Sequence, residues 1–222
     1  MQSFQFEFQV MLDSLPLLLE GAKLTFVITL LGCGFGFILG AFFGVLRSLE
    51  SFWPRKIAGF YIEIIRGTPL MVQVMFLYFG LPLALGVRMP PLAAGIAAIA
   101  VNAGAYIAEV VRGAIEGVPK GQMEAARSIG LSKSQAMIYV IWPQAFRAMI
   151  PPLGNQFIIS LKDTSLLVVI GVGELTRTGQ EVISVNFRAF EVWLTVALLY
   201  LCLTLGISQL LRFLERRFKV AG

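Results

Sequence analysis

Four stretches of this 222-residue chain carry no charged residue, and each is long enough to cross a lipid bilayer. They are residues 24–46, 67–87, 89–108 and 192–211, which is 23, 21, 20 and 20 positions respectively. A helix needs about 20 apolar residues to traverse the roughly 30 Å hydrocarbon core. Lipid offers no partner to an unpaired backbone N–H or C=O, so such runs must be helical. A fifth apolar stretch, residues 148–173, is interrupted by Lys162 and Asp163 and reads as a span broken partway. The expected architecture is therefore an all-α integral membrane protein with five transmembrane helices, over about 24–46, 57–80, 92–112, 145–170 and 191–212. The whole chain, 1–222, reads as one transmembrane domain.

Composition agrees. The chain is 57% hydrophobic and 14% charged, against about 45–50% and 25% for a soluble domain. It contains no histidine, which excludes imidazole-based metal sites and acid–base dyads. Cys33 and Cys202 sit far apart in apolar runs and form neither a disulfide framework nor a metal-type pair. No metal site and no catalytic residues are expected. The excess of 18 basic over 13 acidic residues, +5, is explained by topology. With the N-terminus outside and the C-terminus inside, 12 Lys and Arg fall in inner segments and 5 outside, with Arg66 near the inner end of span two. That distribution follows the positive-inside rule, and inversion violates it. No nucleic-acid partner is called for.

The N-terminal 22 residues lack the basic start and cleavage site of a signal peptide. Phe4, Phe8, Met11, Leu12, Leu15 and Leu19 recur at helical spacing with Gln5, Gln9 and Asp13 between them. This pattern predicts a short amphipathic helix lying at the membrane interface. Gly32, Gly36, Gly40 and Gly44 run at four-residue spacing along span one, as a close-packing helix face does. Trp53 and Trp193 fall where an interfacial aromatic belt would place them.

Orientation makes residues 113–144 the one sizeable cytoplasmic loop. Residues 122–129 read as a short helix ending at Gly130, a residue that tolerates a left-handed C-cap. A second helix is predicted to start at the N-cap Ser132 and to run to Trp142, stopping before Pro143. Two short helices hinged at a glycine suit either a docking protrusion or a membrane-surface elbow, and periodicity alone does not separate them.

The residues of this loop carry a resemblance. Glu124-Ala125-Ala126, three residues, Gly130, nine residues, then Val140-Ile141-Trp142-Pro143 resembles the EAA motif of ABC importer permeases, whose pattern ends Ile-x-Leu-Pro. The chain departs from it at Val140 and Trp142, both still apolar. Arg66-Gly67-Thr68-Pro69-Leu70, Asn102-Ala103-Gly104-Ala105-Tyr106, Pro151-Pro152-Leu153-Gly154-Asn155 and Lys162-Asp163-Thr164-Ser165-Leu166 resemble segments of the polar amino-acid uptake branch, which serves histidine, glutamine, glutamate and arginine. Residues 170–177 and 186–189 are most similar to its glutamine-transport permeases.

The resemblance implies the type I ABC importer permease fold and a role in binding-protein-dependent, ATP-driven import of a polar amino acid across the bacterial inner membrane. Glutamine is the first expectation; glutamate, arginine, histidine or cystine remain open. It implies three partners besides membrane lipid: a cytoplasmic ABC ATPase dimer, a periplasmic or lipid-anchored amino-acid-binding protein, and a second permease subunit, identical or homologous. The chain has no GxxxxGK[ST] loop, so ATP and Mg belong to the ATPase, and the chain itself is expected to be no enzyme and to bind no cofactor. By the same resemblance Glu124, Ala125, Ala126, Gly130 and Pro143 form the ATPase-coupling element.

Ionisable residues inside a membrane are costly and are functional candidates by default. Glu63 with Arg66, and Glu109 with Arg112, each lie at i, i+3 near the inner ends of spans two and three. The spacing places each pair on one helix face; neutralising inter-helix pairing and a gating role are both open. Lys162 and Asp163 break span four beside Thr164 and Ser165, in the manner by which transporters expose polar groups to a midplane substrate. Asp163 suits an α-ammonium group and Lys162 an α-carboxylate, while Asn102, mid-span three, offers one acceptor and two donors. A self-sufficient secondary transporter would show paired repeats, and none is evident; a membrane enzyme would need a nucleophile–base or metal constellation.

Overall fold

A computed structural model describes residues 5–49 and 51–218; Phe4 of the N-terminal pattern and Lys219 of the inner basic set lie outside the described residues. No strand occurs among the described residues. In chain order the helices are α1 (Phe8–Ser48), α2 (Phe52–Gly67), α3 (Leu70–Met75), α4 (Leu81–Leu85), α5 (Pro91–Glu116), α6 (Lys120–Ser128), α7 (Lys133–Ala136), α8 (Trp142–Asp163), α9 (Leu175–Asn186) and α10 (Ala189–Phe218). Single π-helical segments join α3 to α4 (Phe76–Gly80) and α7 to α8 (Met137–Ile141), and a 3-10 segment, Thr164–Ile170, extends α8. Four helical stretches are long and apolar enough to span a membrane: α1, α5, Lys133–Ile170 and α10. The bent pair formed by Phe52–Gly67 and Leu70–Leu85 makes a fifth. The all-α, five-span expectation holds.

Boundaries differ from expectation at four places, each for a physical reason. The separate N-terminal helix over residues 1–22 does not occur: α1 is continuous from Phe8 to Ser48, 41 residues, or about 60 Å at 1.5 Å per residue. Nothing between Leu19 and Leu24 interrupts helical bonding, and Lys23 is answered within the helix by Glu20 at 2.5 Å. Pro16 stands inside the helix, where its missing N–H removes the single bond to the Leu12 carbonyl. Leu18 and Ala22 are buried against Leu175, Val192 and Val196, so these turns are packed into the protein core.

The second span is not one straight helix. It bends by 105° between α2 and α3, because Pro69 has no N–H to donate and forces the residue before it out of the helical region. Thr68 is accordingly extended (φ −119°, ψ 142°), and its hydroxyl donates to the Ile64 carbonyl at 3.0 Å. The predicted stop before Pro143 also fails. The helix continues through it because the π segment ends two residues earlier, with the Trp142 N–H donating to the Met137 carbonyl. That wider turn relieves the clash between a proline ring and the carbonyl four residues back. The same device recurs at Pro82: Phe76–Gly80 is π-helical, and the Leu81 N–H donates to the Phe76 carbonyl. Finally, the break expected at Lys162 and Asp163 is a change of winding, from α to 3-10 after Asp163, and it closes at Gly171 with φ 76°.

The chain forms two compact units. The first comprises residues up to 32, 70–99 and 158–208; the second comprises 33–69, 100–157 and from 209 onward. The core of the first has Ile28, Val74, Ala98, Ile99, Leu167 and Ile170 in one cluster and the Leu18–Val196 group in another. The core of the second is Ala103, Ile107, Val111, Ala145 and Met149. The glycine stripe of α1 packs on α5 as its spacing predicts. A Cβ at Gly32 would fall 2.5 Å from Ile99 in the first unit. In the second, a Cβ at Gly36 would fall 3.0 Å from the Ala100 carbonyl, and one at Gly44 2.6 Å from Val111. The opposite face of α1 exposes Phe35, Ile38 and Phe42, and α10 exposes Leu201 and Leu205, surfaces that only lipid or another apolar partner satisfies.

Candidate functional site

The loop between the third and fourth spans is a short helical hairpin. α6 runs from Lys120 to Ser128, close to its predicted extent, and ends in a left-handed residue, Gly130, at φ 91°. Around that turn the Gly130 N–H donates to the Arg127 carbonyl at 3.1 Å and the Leu131 N–H to the Ala126 carbonyl at 3.2 Å. Such closure satisfies carbonyls that a helix end leaves orphaned. Ser132 is the N-cap of α7, as predicted, within a reciprocal capping box. Its Oγ accepts the Gln135 N–H at 3.3 Å, while Gln135 Oε1 accepts the Ser132 N–H at 2.8 Å.

Burial sorts the residues of the motif. Ala126 is buried, as are Ala136 and Ile141 from the second arm, whereas Glu124, Ala125, Gly130 and Pro143 are exposed. Beside the exposed Glu124 and Ala125, the hairpin shows water Ile129 at 78% exposure and Tyr139 at 69%. The exposed residues of the hairpin thus include both a carboxylate and large apolar side chains.

The intramembrane charges form a network within the second unit, partly along lines the sequence did not reveal. Glu109 is held by Arg112 in the bidentate fork expected at i, i+3, at 2.8 and 3.1 Å. Glu63 is met instead by Arg47 of α1 at 3.5 Å, and Arg66 reaches across to Glu109 at 3.6 Å. Arg112 also pairs with Glu116 at 2.6 Å. Every member of the four-residue set therefore has a counter-charge, and three of the six residues in the network lie on α5. Beside it, Glu109, Gly113, Gly117, Gln144 and Pro152 line a cleft of about 520 Å³.

The proposed substrate residues divide between the units. Asn102, buried on α5, belongs to the second; Lys162, Asp163, Thr164 and Ser165 belong to the first. At the α-to-3-10 junction Thr164 is fully buried and donates to the Leu161 carbonyl at 2.7 Å, and Ser165 donates to the Lys162 carbonyl at 2.7 Å. Lys162 is exposed and Asp163 half-buried, so two adjacent charges lead into a tight turn whose hydroxyls donate to backbone carbonyls.

Sequence reasoning missed Glu174, and with it α9. Glu174 is fully buried in the connection between the last two spans. It caps α9, accepting the N–H groups of Thr176 at 3.0 Å and Arg177 at 2.8 Å. The Tyr200 hydroxyl donates to it at 2.9 Å and also lies 3.0 Å from the Thr176 hydroxyl, within hydrogen-bond distance. Burial pushes the Glu174 carboxyl above the usual carboxylate range, against the lowering pull of those donors. A sequence signal for this cap existed: Glu174 stands directly after Gly171-Val172-Gly173 and before Leu175-Thr176-Arg177-Thr178. A carboxylate capping α9 (12 residues) answers the positive end of that helix.

Residues 14–220 match the family model for the binding-protein-dependent transport system inner membrane component. The glutamine transport system permease protein GlnP of Escherichia coli K12 is 50% identical over 97% of this chain and 99% of its own length. The probable glutamine permease GlnM of Bacillus subtilis is 38% identical over 95% and 97%. Among solved structures, an amino acid ABC transporter crystallised with histidines superposes with a TM-score of 0.91 at 39% identity, covering 96% of this chain and all of that one. A subunit of the inward-facing MetNI methionine transporter, at 23% identity, shares the fold with a TM-score of 0.80. The EAA-type hairpin, the five apolar spans and these near-full-length similarities agree: the chain belongs to the family of binding-protein-dependent transport system inner membrane components.

Proposed function

We propose that this permease carries L-glutamine inward across the bacterial inner membrane, as the membrane-spanning part of an importer driven by ATP hydrolysis on separate subunits. The observation that supports glutamine most is the 50% identity to GlnP, sustained over 97% of the chain. The coupling role is assigned to the hairpin of α6 and α7, in which Glu124, Ala125 and Ala126 occupy the first arm, Gly130 the turn and Pro143 the far end. A rigid hairpin exposing Glu124, Ile129 and Tyr139 transmits a displacement of the ATPase to α8, because no loop intervenes between α7 and α8. On this reading the N-terminus lies outside and this hairpin inside, an orientation supported by the distribution of basic residues.

The chemistry of the site suits a zwitterion with an uncharged amide. Asp163 provides an anion for the α-ammonium group and Lys162 a cation for the α-carboxylate, both just before the turn at Thr164 and Ser165. Asn102, which belongs to the other unit, is assigned to substrate by the resemblance, with a neutral donor–acceptor pair to offer. Glu63, Arg66, Glu109 and Arg112 are assigned to holding spans one to three together at one end, since pairing lowers the cost of buried charge. An external amino-acid-binding protein delivers substrate, and a second permease subunit, identical or homologous, completes the pathway.

The test is ATP hydrolysis by the reconstituted assembly of permease, ATPase and binding protein, with amino acids added singly. Stimulation by glutamine in preference to glutamate, arginine, histidine and cystine is expected. Stimulation by one of the others alone refutes the glutamine assignment while retaining the permease.

A further inference from the structure

The α1–α2 corner carries a cleft that shares Arg47 and Glu63 with the charge network and whose other basic and aromatic lining has no role above. It encloses about 770 Å³ and is lined by Arg47, Arg55, Lys56, Phe52, Trp53, Phe60 and neighbours. Arg47 and Glu63 neutralise each other across it at 3.5 Å, and Arg47 Nη1 donates to the Arg55 carbonyl at 3.1 Å. The guanidinium of Arg47 lies directly over Gly59, where a Cβ would collide with it. Arg47 is thus fixed as the floor of the cleft. Arg55 and Lys56 stand exposed at its mouth, with the Lys56 ammonium 5.7 Å from the centroid of Phe52. Among the described lining residues the charge is +2.

The surroundings are apolar. Phe52, Trp53, Ile57 and Phe60 are between 59% and 73% exposed on the first turns of a membrane helix. Cations held beside exposed aromatic rings at the end of an apolar span match the chemistry of a phospholipid at the headgroup level: phosphate for the cations, glycerol and upper acyl chain for the rings. We propose that this cleft binds the headgroup phosphate of an anionic phospholipid, with Arg55 and Lys56 as its ligands and Phe52, Trp53 and Phe60 against the glycerol backbone. A cavity of this volume holds such a headgroup, and a guanidinium beside an ammonium is the usual pairing for phosphate. The proposal depends only on the chain's spanning the membrane; it is independent of which amino acid is carried.

The experiment uses the intact permease–ATPase assembly, stripped of lipid and titrated with phosphatidylglycerol or phosphatidylcholine under native mass spectrometry. Preferential retention of phosphatidylglycerol is expected. Each basic side chain near an anionic surface is worth about fivefold in binding, so Arg55→Gln with Lys56→Gln should lose about 25-fold, and Arg55→Lys with Lys56→Arg should recover most of it. Glycerol phosphate at the same concentration should not compete, since it lacks the chains that the rings contact. Effective competition would assign the cleft to soluble phosphates and overturn the lipid. Equal retention of both lipids, or an unchanged preference in the double Gln variant, also overturns it. Should that variant fail to assemble, brominated phosphatidylglycerol decides the matter on the wild type: it should quench the emission that Trp53→Phe removes, and brominated phosphatidylcholine should quench it less.

Discussion

Gly40 offers the sharpest test of how the spans pack. A Cβ built there falls 2.5 Å from both Cβ and Cγ2 of Ile107 and 2.9 Å from the Gly104 carbonyl oxygen. Carbon atoms in contact sit about 3.5–4.0 Å apart, so α1 and α5 must separate by roughly 1 Å to admit one methyl group. Side-chain rotation cannot relieve this, because Cβ of Ile107 moves only with its backbone and its rotamer in a helix is restricted. Separation loosens Ile107 from Ala103, Val111 and Met149, the core of the second unit. Overpacking of this kind costs about 1–3 kcal/mol, which outweighs the gain of about 1 kcal/mol from replacing a helical glycine by alanine.

Gly34, six residues earlier on the same helix, has nothing within 4 Å of its Cβ position. There the propensity gain of roughly 0.5–1 kcal/mol stands alone. Gly34→Ala should therefore raise the apparent Tm in detergent slightly, while Gly40→Ala lowers it and Gly40→Val lowers it further. Both alanines gain the same helix propensity, so the two variants should differ by the overpacking alone, about 2–12 °C at about 2–4 °C per kcal/mol for a chain of this size, read by thermal scanning on tryptophan emission. Equal shifts for Gly34→Ala and Gly40→Ala would refute the close α1–α5 contact.

Gly130 tests the hairpin: at φ 91° with open space around it, an L-residue costs about 1–2 kcal/mol of backbone strain. Asparagine visits that region more readily, so Gly130→Asn should retain more substrate-stimulated ATP hydrolysis than Gly130→Ala, with membrane insertion normal in both. The opposite order would mean that side-chain bulk at the ATPase surface, and not the turn, matters; Gly130→Asp should abolish coupled uptake. Asp163→Asn should lower uptake at least tenfold with basal ATP hydrolysis unchanged, and unchanged substrate affinity would remove Asp163 from the site. Glu174 predicts a pH effect. Its native pKa is raised by burial, so the native state holds the proton more tightly than the unfolded chain. That contribution is full below about 4.5 and is lost as pH rises through the native value; Glu174→Gln should flatten the stability–pH curve over that interval.

The sequence by itself determined the features that depend on about twenty consecutive residues. Apolar runs had to become helices because lipid leaves backbone groups no other partner. The glycine stripe of α1 is a close-packing face because a spacing of four keeps one helix face clear of side chains; that α5 fills it came from the fold. Gly130 and Ser132 end and begin helices through bonds to residues only three to five positions away. What failed is instructive on the same scale. Thr68-Pro69 and Trp142-Pro143 look alike locally, yet one bends the chain by 105° and the other lies within a continuous helix. The difference is the π turn before Pro143, which absorbs the missing donor, and nothing in the dipeptide announces it.

Charge pairing shows most plainly what only the tertiary structure decided. The spacing of Glu63 and Arg66 placed both on one helix face and left inter-helix pairing open without naming partners; Glu63 meets Arg47 and Arg66 meets Glu109. Those partners lie 16 and 43 positions away, and their proximity follows from how α1, α2 and α5 pack. Glu174 is the limiting case. Four positions into a run of small and polar residues it reads as an ordinary connector charge. Its burial is created by α10, which brings Tyr200 to 2.9 Å from a carboxylate 26 residues distant. Hydropathy and capping are local energies and can be read along the chain. The partner of a buried charge is set by where other helices lie, which is why its identity had to wait for the fold.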